Sequence, residues 1–99
     1  MDIIKNLDGE TLTVKLVGRL DTTTAPSLEG EISKELESTK TLIFDFEKLD
    51  YVSSAGLRVL LACQKTMNTK GTMTIKHVKD EIYDVFEMTG FLDILHVER

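Results

Sequence analysis

The chain has 99 residues, 41% hydrophobic and 29% charged, and a formal charge of −5 from 17 acidic and 12 basic residues. This fits one compact domain burying roughly two-thirds of its unfolded surface, and no cluster of Lys or Arg offers a footprint for direct nucleic-acid binding. Apolar runs of only a few residues exclude membrane insertion, and the start Met1-Asp2-Ile3-Ile4-Lys5-Asn6 lacks the basic and apolar regions of a signal peptide, so a cytoplasmic protein is expected.

In chain order, residues 2 to 7 and 10 to 18 flank Asp8-Gly9, a hairpin signal, and apolar and polar residues alternate through Leu12-Thr13-Val14-Lys15-Leu16. An antiparallel hairpin with one buried face follows. Gly18-Arg19-Leu20-Asp21-Thr22-Thr23-Thr24 reads as a polar loop, and Ala25-Pro26 suits a helix start because proline is tolerated in the first turn. Leu28, Ile32 and Leu36 then fall on one face of that helix. Thr41-Leu42-Ile43-Phe44-Asp45-Phe46 is nearly continuous in apolar residues, as expected of a central strand covered on both sides.

That strand leads to Leu49-Asp50-Tyr51-Val52-Ser53-Ser54-Ala55-Gly56-Leu57, where it hands over to a second helix. Leu57, Leu60, Leu61 and Gln64 share a face of this helix, and Gly71 terminates it, with Lys65 and Lys70 near its negative end. Thr72 to Val78 reads as another strand, and Asp80 as the cap of a third helix. That helix carries Ile82, Val85, Phe86 and Thr89 on one side and stops at Gly90, after which Phe91, Leu92, Ile94 and Leu95 close the core. The predicted fold class is α/β: a mixed β-sheet with an N-terminal antiparallel hairpin and right-handed helical crossovers.

The chemistry visible in this layout is sparse. Val52-Ser53-Ser54-Ala55-Gly56 has the strand-turn-helix setting of a nucleophile elbow, but Val52 stands where Gly-x-Ser-x-Gly needs its first glycine. His96 follows Asp80, Asp84 and Asp93, an order that an acidic sequence supplies cheaply. His77, His96 and Cys63 give no pair with metal-ligand spacing, and no phosphate-cradling glycine loop is present, so neither a metal nor a cofactor is expected. Cys63 reads as a buried packing residue. The two serines carry the signal. The first turn of a helix has free N–H groups and the positive end of the dipole, so it caps well with serine oxygen and accepts a phosphate without melting. Either Ser53 or Ser54 fits as that cap.

Gly18-Arg19-Leu20-Asp21 with Thr24-Ala25, the strand Leu42-Ile43-Phe44-Asp45-Phe46, Tyr51-Val52-Ser53-Ser54-Ala55-Gly56-Leu57 and Met88-Thr89-Gly90-Phe91 together resemble the anti-sigma factor antagonists, the bacterial branch of the STAS domain family. The resemblance spans residues 1–99 as a single STAS-like domain. It implies that a serine at the start of the second helix is phosphorylated by a partner that is both anti-sigma factor and serine protein kinase, with a histidine-kinase-like ATPase fold. Ser54 takes that position, with Ser53 as the alternative. Ser53 stands where the family motif Asp-Ser-Ser/Thr-Gly-Leu has its aspartate, and Ala55 where it has a second hydroxyl residue.

Partner switching is the mechanism the resemblance implies. Unphosphorylated protein would bind the anti-sigma factor through Asp21, Thr22, Thr23, Thr24, Ser53, Ser54, Ala55, Gly56 and Arg58, with Gly56 permitting close backbone approach; in the phosphorylated form Arg58, near one helical turn beyond Ser54, is expected to pair with the phosphate. Phosphorylation would release it, and a PP2C-type phosphatase would restore it. Nothing in the motif activates Ser54, so the domain is expected to be a substrate and no enzyme. The alternative is a STAS scaffold or subunit of a transport or lipid-trafficking assembly without a phosphorylation cycle.

Overall fold

A reversal at Gly9, whose φ of +61° favours glycine, joins strands β1 (Asp2–Asp8) and β2 (Thr11–Leu20) in an antiparallel hairpin. The computed structural model describes residues 1–99. Helix α1 (Ala25–Leu36), strand β3 (Thr41–Val52), helix α2 (Ser54–Asn68), strand β4 (Thr72–Lys76) and helix α3 (Asp80–Thr89) follow, with a short 3-10 turn at Phe91–Asp93. The sheet order is β1-β2-β3-β4, with β2, β3 and β4 parallel. Crossovers between successive parallel neighbours carry α1 and α2, which pack against each other. The expected mixed α/β sheet is therefore present.

Alternation builds the core row by row. Leu12, Leu42 and Met73 are register partners across three strands, as are Val14, Phe44 and Ile75, and all six are buried. Ala25, Leu28, Ile32 and Leu36 cover them from α1, and Leu57, Leu60, Cys63 and Met67 from α2. Leu61 is only half-buried, because the inward stripe of α2 passes through Gly56, Leu60, Cys63 and Met67 instead. The opposite face of β3 is less covered than its apolar run suggests. Thr41, Ile43 and Asp45 are half-buried there, so this strand has one core face and one partly open face.

The strand β2 runs further than its sequence indicates. Gly18, Arg19 and Leu20 remain in the strand, and Leu20 is fully buried. The register slips between Lys15 and Val17 and again between Gly18 and Arg19, so β3 fits two more residues than β2 between the Lys15–Asp45 and Leu20–Val52 pairs. Gly18, at φ +109°, lies opposite this irregular stretch of β3, and its turn-like signature marks a continuing strand in place of a loop.

The C-terminal third shows two further differences. Helix α3 begins after Lys79, which is extended and donates no side-chain cap; Asp80 is the first helical residue and, with Glu81, favours the positive end of the dipole. Val78, Ile82 and Phe86 are buried, and Gly90 ends the helix at φ +79° as expected. Of the four closing residues Leu95 is buried and Phe91 and Leu92 are partly so, whereas Ile94 is 48% exposed. The segment after them covers the outer edge of β4: Ile75 N–H donates to the His96 carbonyl at 2.9 Å and Glu98 N–H to the Ile75 carbonyl at 2.8 Å.

Candidate functional site

Strands β2 and β3 end side by side at the Leu20–Val52 pair, and the chain leaves each into the N-terminus of a helix. Ser53 N–H donates to the Leu20 carbonyl at 2.9 Å, locking the start of α2 to the end of β2. Ser53 is extended (φ −92°, ψ 175°), and its side-chain oxygen accepts from Gly56 N–H at 3.3 Å. Ser53 is thus the cap and Ser54 the first helical residue. The two serines divide the roles that the sequence left open between them. Ser54 is exposed, Ser53 and Ala55 are half-buried, and Arg58, one turn on from Ser54, is exposed.

Gly56 works inward. It is buried in the first turn of α2, and a Cβ built there would lie 2.8 Å from Leu20 Cγ and 3.0 Å from the Leu20 carbonyl oxygen. The close backbone approach expected at this glycine is made to β2, within the protein. It sets how near α2 sits to the loop that follows Leu20. Gly56→Ala should cost about 1–3 kcal/mol of overpacking, offset by about 1 kcal/mol of helix propensity, so its urea midpoint should fall modestly below that of wild type.

That loop is a tight hydrogen-bonded turn. Asp21 Oδ1 accepts from Thr23 N–H at 3.0 Å and Thr24 N–H at 3.1 Å. Thr24 Oγ1 accepts from Asp21 N–H at 2.8 Å and donates to the Arg19 carbonyl at 2.8 Å. Asp21 therefore organises the entry to α1 as an Asx turn, leaving Thr22 and Thr23 exposed at its tip. The Thr24 N–H foremost, then the Thr23 N–H, the Thr24 hydroxyl and Arg19, hold the Asp21 carboxyl below its ordinary range against the opposing pull of desolvation.

A carboxyl lowered in the folded state adds stability above its unfolded pKa of about 3.9 and loses it as pH falls through the folded value. Wild type should accordingly lose stability on acidification below about pH 4 more steeply than Asp21→Asn, as read from urea midpoints over that range.

Charged and aromatic side chains surround the two helix starts. The Arg19 guanidinium lies 4.2 Å from the Tyr51 ring centroid and its Nε 3.7 Å from Asp21 Oδ2. Lys79 reaches Asp50 at 2.6 Å. Sequence reasoning did not assign Arg19, Tyr51, Asp50 or Lys79 to the site. The readable signal was that Arg19 and Tyr51 both fall within segments that carry the family resemblance, Gly18-Arg19-Leu20-Asp21 and Tyr51 to Leu57. The histidines lie elsewhere: His77 Nδ1 is 3.1 Å from Asp45 and His96 Nε2 3.4 Å from Glu98, so neither histidine is hydrogen-bonded to Ser53 or Ser54. Cys63 is buried, and desolvation, assisted by Glu29, pushes its thiol up to about 12. No helix is long and apolar enough to cross a membrane.

Known proteins are similar to this chain in sequence and in fold. The family model described as STAS domain matches residues 2–99. The chain is 34% identical over 93 residues to BtrV of Bordetella bronchiseptica, covering 92% of this chain and 79% of that protein. It is 33% identical over 102 aligned positions to the anti-sigma-B factor antagonist of Staphylococcus aureus, covering 95% and 94% of the two chains. The structure of the Bacillus cell fate determinant SpoIIAA in its phosphorylated form superposes with a TM-score of 0.77 at 20% identity, covering 97% of this chain and 90% of SpoIIAA, a likeness of fold. With hairpin, crossovers and paired helix starts all in place, the chain belongs to the STAS domain family, in its anti-sigma factor antagonist group.

Proposed function

We propose that this protein acts by partner switching: unphosphorylated, it binds an anti-sigma factor that is also its serine kinase, and phosphorylation of Ser54 releases it. The observation that carries this reading is the division of labour at the start of α2. Ser53 is committed to capping through Gly56 N–H, so the exposed Ser54 hydroxyl can be modified without removing the cap. A phosphate at the first helical position meets the positive end of the dipole, so the helix stays formed. Arg58, exposed one turn on, is placed to pair with it.

Release follows from charge. Phosphorylation adds about −1.5 to −2 charges, next to a loop whose Asp21 is already held ionised. Burying that charge against the phosphates of a nucleotide-bound kinase or its acidic side chains requires desolvation without a compensating partner. The docking surface is Asp21 to Thr24 with Ser53, Ser54, Ala55 and Arg58, and Gly56 holds its two halves in register from below. A PP2C-type phosphatase resets the cycle, and the pathway is cytoplasmic.

The decisive measurement is the affinity of the purified anti-sigma factor for the unmodified protein and for the enzymatically phosphorylated protein. Phosphorylation should weaken binding by at least about tenfold, equivalent to 1.4 kcal/mol. Equal affinities would sink the switch and leave a scaffold role, in which the same fold docks a partner without a phosphorylation cycle.

A further inference from the structure

The outward-facing seam between α1 and α2 is unfilled. A groove of about 390 Å³ lies there, with Ile32, Leu36, Val59 and Cys63 forming its apolar floor at 1%, 8%, 7% and 4% exposure. Its walls carry the small exposed side chains of Ser33, Ala62 and Thr66. Glu29 and Glu37 stand on its α1 side. They are eight residues apart, about 12 Å along the helix. Neither forms an ion pair within the protein, and Lys70, the cation at the rim, donates its ammonium to the Leu36 carbonyl at the end of α1. The groove is thus apolar below and acidic along one edge.

Two observations narrow what can occupy it. The backbone here is helical on both sides and its hydrogen bonds are internal, so it offers no strand edge to an extended peptide; what fits is the ridge of another helix. The groove also continues the candidate docking surface. Ser54, Arg58 and Ala62 are spaced at i, i+4 and i+8 on the outer face of α2, and that line runs from the modified hydroxyl into the groove.

We infer that the groove seats an amphipathic helix of the same anti-sigma factor that docks at Ser54, inserting one bulky apolar side chain over Cys63 and presenting basic residues two turns apart to Glu29 and Glu37. The inference rests on the partner-switching reading and divides the interface in two. The groove supplies affinity that phosphorylation does not touch, while the Ser54 end supplies the part that is switched. The released protein then retains a weak hold on its kinase.

The test uses two variants of the full chain with the purified anti-sigma factor. Ala62→Trp fills the groove from an exposed position, and the Glu29→Lys, Glu37→Lys pair reverses its rim without touching the core. Urea unfolding checks that both fold, and the surface charge pair carries the test alone should the tryptophan variant not fold. Each should weaken binding tenfold or more, the loss in the charge pair should shrink as salt is raised, and phosphorylation should weaken binding further in both. Affinities within twofold of wild type, with wild type both bound and labelled at Ser54, would overturn the groove and spare the switch. A wild type that is neither bound nor labelled would overturn the switch, and the groove with it.

Discussion

Ser54→Ala should reduce transfer of phosphate from ATP by the cognate kinase to background, whereas Ser53→Ala should remain a substrate despite being the less stable protein. The two serines are adjacent and chemically identical, so only their placement separates them. The Ser53 oxygen accepts from Gly56 N–H, and its extended backbone is tied through its own N–H to Leu20. Replacing it removes a cap, at a cost of about 0.5–2 kcal/mol. Ser54 is exposed in the first turn, and its removal should change stability by no more than about 0.5 kcal/mol. Stability and labelling should therefore move in opposite order, a pattern that general unfolding cannot produce. Radiolabel retained by Ser54→Ala and lost from Ser53→Ala would reverse the assignment. Ser54→Asp is a weaker probe, because aspartate carries less charge than phosphate.

Features that depend on local period are legible in the amino-acid sequence alone. The stripe Leu28, Ile32, Leu36, the strand Leu42 to Phe46 and the stop at Gly90 each follow from spacing within a few residues, and each is in place. Features that depend on partners distant in sequence are not legible there. Gly18 carries a turn signal, and only its pairing with β3 reveals a strand that continues to Leu20. Arg19 and Tyr51 meet because two register slips bring them opposite each other, and no single-strand pattern encodes a slip. The choice of cap has the same origin. Both serines satisfy the local rule, but the bond from Ser53 N–H to Leu20 decides where the strand stops and the helix starts. Asp80 fails as a cap by one position because the extended Lys79 precedes it. Gly56 reads as a point of close approach to a partner and Gly71 as a helix stop, because their packing partners within the fold, Leu20 and Lys40, lie more than thirty positions away in sequence.

Gly71→Ala should be among the most destabilising single-methyl additions in this protein, at about 3 kcal/mol, and should lower the melting temperature by roughly 12 °C or more. Sequence reading takes Gly71 as a helix stop, but its φ is not left-handed and the left-handed glycines are Gly9, Gly18 and Gly90. The demand for glycine is steric. A Cβ at this position would overlap the Lys40 carbonyl oxygen and fall 2.7 Å from the Lys40 carbonyl carbon, both backbone atoms with no rotamer to escape into. That carbonyl accepts from Thr72 N–H at 2.9 Å, and Lys40 N–H in turn donates to Glu10 at 2.8 Å. A methyl group must therefore push β4 away from β3 at the first rung of their ladder, Thr41–Thr72, and strain the turn that carries β2 beside them. Gly30→Ala is the matched control: the same atom is added within α1, where nothing lies within 4 Å of the new Cβ. Helix propensity alone then acts, and that variant should gain up to about 1 kcal/mol. Two glycine-to-alanine changes of opposite sign, measured by urea unfolding of the same domain, separate backbone crowding from chain entropy. A Gly71→Ala protein as stable as wild type would mean that the approach of β4 to Lys40 is looser than its geometry requires.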